Sequence, residues 1–529
     1  MTQSSRSTDS HHVQAYSRDR GDFMYNRAGP WPQPAPDHPM AMAAEVLHPT
    51  RDEKRDWSRH AGRNYIKTML MSIPRAAYNA VTRGRVEDIS DEVFTELLTT
   101  TIYSKYLRRI DLGQLDPMFS EALGAIGGAA CYYTTDFTPI QDIEPYEGMW
   151  VAPTITLFTR DEEDGPCRAL AIRIGHLVVE DGKRKWKHIV VSPRDVEAWT
   201  LAKYFVLQGA GHVTTLAGHP ATHFPFDSVN AVTTSAVPMD HTLFKLLFPH
   251  LRLALAVNHA VLEGGNSVVS ETHGEIYAPY CAPGLRVRVL VAAGYVGYPH
   301  ELCTYDPSPT PGPAYPRWEY PLVPRALDIP SDFGRVLRAY HETIKAFVRE
   351  VVDDILERKE TRKGREEIYY IKRWAHYIAH WLPGFPDADE ILEPAETGDT
   401  LVAALTAYIW DVSVAHSLDH RSFYLLHPRR TPFRIRVPPP KTHRIAAVPR
   451  RRILGGWDLF KSTLAFDMFF QPHNVALLKD VDYGFESDRL QKAAEVFRKA
   501  LVDTERRLSA EVDVTKYIPL AEIATSIQY

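Results

Sequence analysis

The 529-residue sequence predicts a mainly α-helical fold with a small antiparallel β element, on three observations. Apolar residues recur at three- and four-residue intervals over most of the chain beyond Trp199. Apolar–polar alternation is concentrated in one stretch, from Ala152 to Ser192. Two helical segments are apolar nearly all round, which a chain of this length accommodates by burying them in a large core.

Residues 1–55 are rich in Ser, Pro, His and charge, with "GPWPQPAPDHP" the stiffest part, and are expected to form a disordered or extended arm. Residues 56–529 then form one catalytic domain. Helical spacing begins near Asn64 and runs through "SDEVFTELLTTTIYSKYLRRI". "APTITLFTR", "CRALAIRIG" and "HLVVEDGKRKWKHIVVS" alternate as strands, and "EDGKRK" carries a turn signal. "HTLFKLLFPHLRLALAVNHAVL" predicts a buried helix, and "SDFGRVLRAYHETIKAFVREVVDDILERK" a long amphipathic one capped by Ser or Asp. "GDTLVAALTAYIWDVSVAHSLDH" is again apolar, and "SDRLQKAAEVFRKALVDTERRLSAEV" is an amphipathic surface helix. "GLRVRVLVAAGYV" is the one strand-like interruption in the second half.

Composition excludes several classes. The chain is 44% hydrophobic and 24% charged with a net charge of −5, so nothing points to nucleic acid as a partner. Four scattered cysteines without a C-x-x-C pair argue against a disulfide scaffold or structural zinc and suit a reducing cytoplasm. No run of about 18 apolar residues predicts a membrane span, and the polar N-terminus does not read as a signal peptide. "PRRTPFRIR" and "PRRR" read as solvated basic faces, with at most transient contact at an anionic membrane surface.

The chemistry-bearing residues are histidines. His416 and His420 lie four apart inside an apolar helix and share one face. Such a pair calls for a common partner, either a divalent metal or a polar seam between helices. His212, His219 and His223 form a second cluster in "GHVTTLAGHPATHFPFD". Two i, i+4 pairs far apart in sequence form the pattern of a four-histidine metal site between helices. Pro220 is expected to push His219 out of the αR region and to open a new helix, leaving His219 at a junction. His212 lies about 10 Å from His219 along a regular helix, too far to share an ion. His241 and His259 read as internally satisfied.

With both clusters placed, the order of features resembles the lipoxygenase family. "WTLAKYFVLQ" is similar to that family's W-x-L-A-K segment, and "HTLFKLLFPHLR" to its H-P-x-(F/Y)-K-L-L-x-P-H-x-R signature, with Thr242 in place of proline. "PGFP" (residues 383–386), "RVPPP" (436–440) and the ending "YIPLAEIATSIQY" follow in the family's order. The resemblance runs from about Ile110 to Tyr529 and implies a large lipoxygenase-like helical domain, as in compact members without an N-terminal β-barrel. It implies a non-haem metal, iron or manganese, that removes a hydrogen atom from a bis-allylic carbon before O2 adds to give a hydroperoxide. The implied partners are a polyunsaturated fatty acid or related lipid and O2, acting on a monomer. A lipoxygenase-fold oxidase of another substrate and a metal-free lipid-binding protein are the alternatives.

His416 and His420 match the family's second histidine pair. Counted without gaps from Trp199, the first pair falls on Thr214 and His219; with a gap it falls on His219 and His223. Tyr529 stands where a terminal isoleucine supplies its α-carboxylate as a fifth ligand, and Phe423 where a glutamine is expected. Arg421 and Lys245, with His250 and Arg252, are candidates to meet a substrate carboxylate or to bond internally.

Overall fold

A computed structural model describes residues 51–262, 280–282 and 331–529, short interruptions apart. Most of the expected N-terminal arm and the whole of "GLRVRVLVAAGYV" lie outside the described residues. The first helix, α1 (Arg51–Ala61), begins inside the stretch expected to be unstructured, and a π turn (Gly62–Ile66) leads into α2 (Lys67–Thr82). The long helix expected up to Ile110 is shorter: α3 (Asp91–Thr100) ends there, a 3₁₀ turn covers Ile102–Tyr106, and Arg108–Ile110 is a strand, β1. Threonines 99 to 101 end the helix, since their hydroxyls turn back onto carbonyls of the preceding turn.

β1 opens a five-stranded antiparallel meander in sequence order, with β2 (Cys131–Asp136), β3 (Thr154–Arg160), β4 (Arg168–Glu180) and β5 (Lys183–Val191). The turn signal is realised at Asp181 and Gly182, both with positive φ (52° and 72°), as a two-residue hairpin requires. β2 escaped the sequence reading, although "CYYTTD" is rich in the aromatic and β-branched residues that strands favour.

α4 (Val196–Val213) follows, buried along almost its whole length and packed against β3 and β4. Trp199 and Lys203 of the W-x-L-A-K segment both donate to Asp91 (2.8 and 2.7 Å), locking α4 to the start of α3. Next come α5 (Asp227–Ala236), α6 (Thr242–Leu251) and α7 (Ala254–Leu262). The single helix expected over the last two breaks at Leu253, a buried residue at φ 63°, a region leucine enters only under tertiary constraint. α8 (Asp332–Glu357) has its Ser331 cap and packs against α10 (Asp399–Trp410) and α13 (Asp488–Glu511); α9 (Arg362–Trp381) lies on α5.

α10 continues through a π turn (Asp411–Ala415) into α11 (His416–Arg430). The run Asp399–Leu426 is long and apolar enough to cross a bilayer by length and composition alone, but 89% of its most apolar window is buried, so it is the central core helix. α12 (Gly456–Phe469) packs beside α11 and α2. "PRRTPFRIR" is only partly a solvated face: Arg434 is buried against Asp458, while Arg430 and Arg436 keep exposed side chains and pair with Glu87 and Asp458.

Candidate metal centre

Two of the three π turns among the described residues sit immediately before the two histidine pairs. In the first, Thr214–Gly218, the His219 N–H bonds the Thr214 carbonyl at 2.7 Å, a five-residue reach that rotates the chain's next side chains. His219 remains in the αR region (φ −72°, ψ −45°), against the expectation from Pro220, because this wider turn makes room for the proline ring. Pro220 does open a new segment, a 3₁₀ turn (Pro220–Thr222) that delivers His223. Thr214 points its hydroxyl at the Ala210 carbonyl (2.6 Å), so the structure brings His219 and His223 together, not Thr214 and His219.

His219, His223, His416 and His420 are all buried, with one ring nitrogen from each lying within 4.8 Å of the others. Nitrogens bound to one ion at about 2.1 Å each stand at most about 4.2 Å apart. A pair at the 4.8 Å limit must therefore close by at least about 0.6 Å to share an ion. Tyr529 is buried, and its ring closes the cluster at 4.4 Å from the His420 ring and 5.2 Å from that of His416.

The hydrogen bonds around the first pair fix its tautomers. His223 Nδ1–H donates to Asn258 Oδ1 (2.9 Å), and Asn258 donates to Asp227 (2.5 Å). Asn258 lies on α7, which begins just past the break at Leu253. His219 Nδ1–H donates to Asp419 Oδ2 (3.3 Å), whose other oxygen accepts from Lys105 (2.5 Å). Both Nε2 atoms are then left with lone pairs facing each other at 3.0 Å. Neither ring nitrogen of His416 or His420 has a partner within hydrogen-bond geometry; the Phe469 carbonyl is close to His420 but outside it. A protonated imidazole does not relieve this, because burial holds His219 down at about 3 and the other three well below the usual imidazole range. Neutral imidazole lone pairs converging in a buried space are the donor set of a divalent transition metal, so the residues fit such an ion.

The other candidates lie elsewhere. His212 donates from Nδ1 to the Gln208 carbonyl and faces the Cys281 thiol at Nε2 (3.3 Å). His241 caps α6 and bonds the Glu367 carbonyl (3.0 Å). His250 ties α6 to the C-terminal segment through the Thr525 carbonyl (2.7 Å). Lys245 pairs with Glu486 (2.8 Å), and Arg421 with Glu522 (2.5 Å) and the Tyr517 carbonyl, so both are engaged within the protein. Residues Ala524–Tyr529 are buried, with Ala524 N–H bonding Ser417 Oγ (3.1 Å) and Ser526 the Arg252 carbonyl (2.9 Å). Lys105, Asp419, Asn258 and Asp227 were not singled out in the sequence; the one available signal was a lysine and acids within apolar runs.

Burial also sets an acid limit. His212 and His250 are each pushed down to about 4. The unfolded chain takes up these protons near pH 6.5 and the folded protein does not, so stability falls as pH drops below that point. The expected loss at about pH 5 is on the order of 2 kcal/mol per group, and the four clustered imidazoles act in the same direction. Melting temperatures of the metal-free protein at neutral and mildly acid pH check this; equal values count against it.

No protein-family model matches the chain. A protein of Oryza sativa subsp. japonica named "Putative lipoxygenase 5" is 24% identical over 387 residues, covering 67% of this chain and 40% of that protein. The chain thus matches about two fifths of that relative's length. Among solved structures, coral 8R-lipoxygenase aligns with a TM-score of 0.69 at 16% identity, over 98% of this chain and 81% of its own. Manganese lipoxygenase of Gaeumannomyces graminis aligns with a TM-score of 0.68 at 15% identity, over 98% and 99%. A LOX structure in complex with arachidonate gives 0.67 at 16%, over 99% and 82%. The class defined here is therefore the lipoxygenase fold, and the resemblance read from the sequence holds for the fold of the chain.

Proposed function

We propose that the chain is a non-haem metal-dependent dioxygenase of the lipoxygenase type, adding O2 to a polyunsaturated fatty acid or related lipid to form a hydroperoxide. The observation that carries this reading is the convergence of four buried neutral imidazoles, two with Nε2 lone pairs face to face at 3.0 Å. His219, His223, His416 and His420 would hold the ion, iron in the first instance and manganese in the second. The resemblance assigns a fifth donor to the Tyr529 α-carboxylate, and the burial of that residue beside the cluster supports the assignment. When bound, the ion supplies the one-electron chemistry that removes hydrogen from a weak C–H bond.

The chain's own part is positioning and exclusion of water. Asn258 and Asp419 hold two imidazoles with Nε2 facing inward, as hydrogen-bonded outer partners of ligating histidines do. Phe423 and Phe470 wall the cluster, with Phe423 edge-on to His219 at 5.9 Å and Phe470 at 5.5 Å from His420. An apolar wall suits a hydrocarbon substrate and keeps water from a radical. The arachidonate bound to one structural neighbour supports a fatty acid in that role. Phe423 also favours a second reading, an oxidase of another substrate, since it removes the amide that the resemblance places beside the metal. The proposal takes the protein as a cytoplasmic monomer.

The test is elemental analysis of the purified chain for iron, manganese and zinc, with oxygen uptake and conjugated-diene absorbance on linoleate and arachidonate. Stoichiometric iron or manganese with diene formation is the expected result. Metal without oxygen uptake on either lipid selects the second reading, and absence of any metal after supplementation overturns both.

A further inference from the structure

Helix α2 has its polarity reversed. It buries Ser72, Ala76 and Asn79 and packs on α12, while Ile66, just before it, Leu70, Met71, Ile73, Tyr78 and Val81 face out. Exposure reaches 71% at Met71 and 86% at Val81. Residues 66, 70, 73, 77 and 81 recur at the helical period and form one stripe, flanked by Met71, Pro74 and Tyr78. Trp457 extends this face. It opens α12, where Gly456 abuts the Ala80 carbonyl, is 56% exposed and stacks on Phe460 with ring centroids 5.0 Å apart. Apart from Leu177, Val179 and Trp186 on the β4–β5 hairpin, the exposed apolar side chains elsewhere among the described residues are scattered; here they run contiguously along a whole helix, which marks a binding surface.

Charge indicates what covers it. From Trp57 to Thr82 the sequence has no Asp or Glu, while Arg63 and Lys67 are exposed beside the stripe. Arg451 and Arg452 stand exposed a few residues before Trp457. We propose that this face docks on an anionic lipid bilayer, with α2 lying in the membrane plane, its apolar stripe and Trp457 in the headgroup–acyl boundary and the cations on lipid phosphates. A second copy of the chain is a poorer occupant, because a self-complementary contact would oppose the exposed cations of the two copies, with no Asp or Glu between Trp57 and Thr82 to offset them. The docking is independent of any metal and gives a lipid-oxidising protein direct access to its substrate's compartment.

The experiment is co-sedimentation of the full chain with vesicles of phosphatidylcholine alone and of phosphatidylcholine with phosphatidylserine, at low and high salt, beside light scattering without lipid. Preferential binding to the anionic vesicles, weakened by salt, is expected. Replacing Leu70, Met71 and Val81 with serine should lower partitioning about tenfold or more, since each exposed side chain contributes its own apolar burial. Arg63→Glu with Lys67→Glu should abolish the preference for the anionic vesicles. The sites are exposed, so melting temperatures should be unchanged. Three results overturn the proposal: no wild-type binding to either vesicle, undiminished binding of the serine variant, or wild-type self-association that the serine variant loses.

Discussion

The double variant His416→Ala/His420→Ala is expected to purify without metal and to show no thermal stabilisation when metal is added. The wild-type protein should gain about 4 kcal/mol at a metal concentration a thousandfold above its dissociation constant, because the ion binds the folded state alone. Without metal the two proteins should differ far less. Each unpartnered buried imidazole costs about 1–3 kcal/mol, which its deletion recovers, whereas the cavity left behind costs a comparable amount. The two nitrogens of each ring lack partners inside the continuous helix of α10 and α11, so no hydrogen bond among the described residues depends on them. Elemental analysis and melting curves with and without metal check this. A metal-linked rise in the variant equal to that of the wild type would show that the cluster is not the binding site.

Legibility in the sequence followed how local the cause was. His416 and His420 could be placed because a continuous apolar helix dictates what four-residue spacing does. The helix caps at Ser331 and Ser487 and the Asp181–Gly182 hairpin were likewise written locally. The first pair was legible only as alternatives, because its geometry depends on a π turn, and no residue spacing distinguishes one extra residue in a turn from a regular helix. Pro220 was read as a breaker of the αR region at His219; the wider turn before it removed the clash. The hidden break at Leu253 has no glycine or proline to announce it, being imposed by tertiary packing. The basic run around Arg434 looked solvated because the acid that buries it, Asp458, is distant in sequence. Lys105 was invisible for the same reason, lying 314 residues from its partner Asp419.

That pair carries the other large expected effect. Lys105 and Asp419 are both buried and joined at 2.5 Å, and Asp419 accepts from His219 at 3.3 Å. Burial pushes the Asp419 carboxyl up and the Lys105 ammonium opposes it; Asp411, on the neighbouring π turn, is driven well up by burial and by the Asp419 charge. Removing one partner leaves a buried charge uncompensated, so Lys105→Met should cost about 3–5 kcal/mol in stability. Loss of Asp419, the hydrogen-bonded partner of His219, should weaken metal binding by about 10–100-fold. The two effects separate in Lys105→Met/Asp419→Leu, which buries no charge. That variant should melt close to the wild type, since apolar replacement of a buried pair is near neutral. It should still bind metal weakly, because His219 then has no acceptor to hold Nδ1–H outward and Nε2 toward the cluster. Denaturation curves of the metal-free proteins and chelator competition for the ion give the two readouts independently. Wild-type metal affinity in the double variant would make the pair a structural bridge between the 3₁₀ turn and α11, with no part in orienting His219.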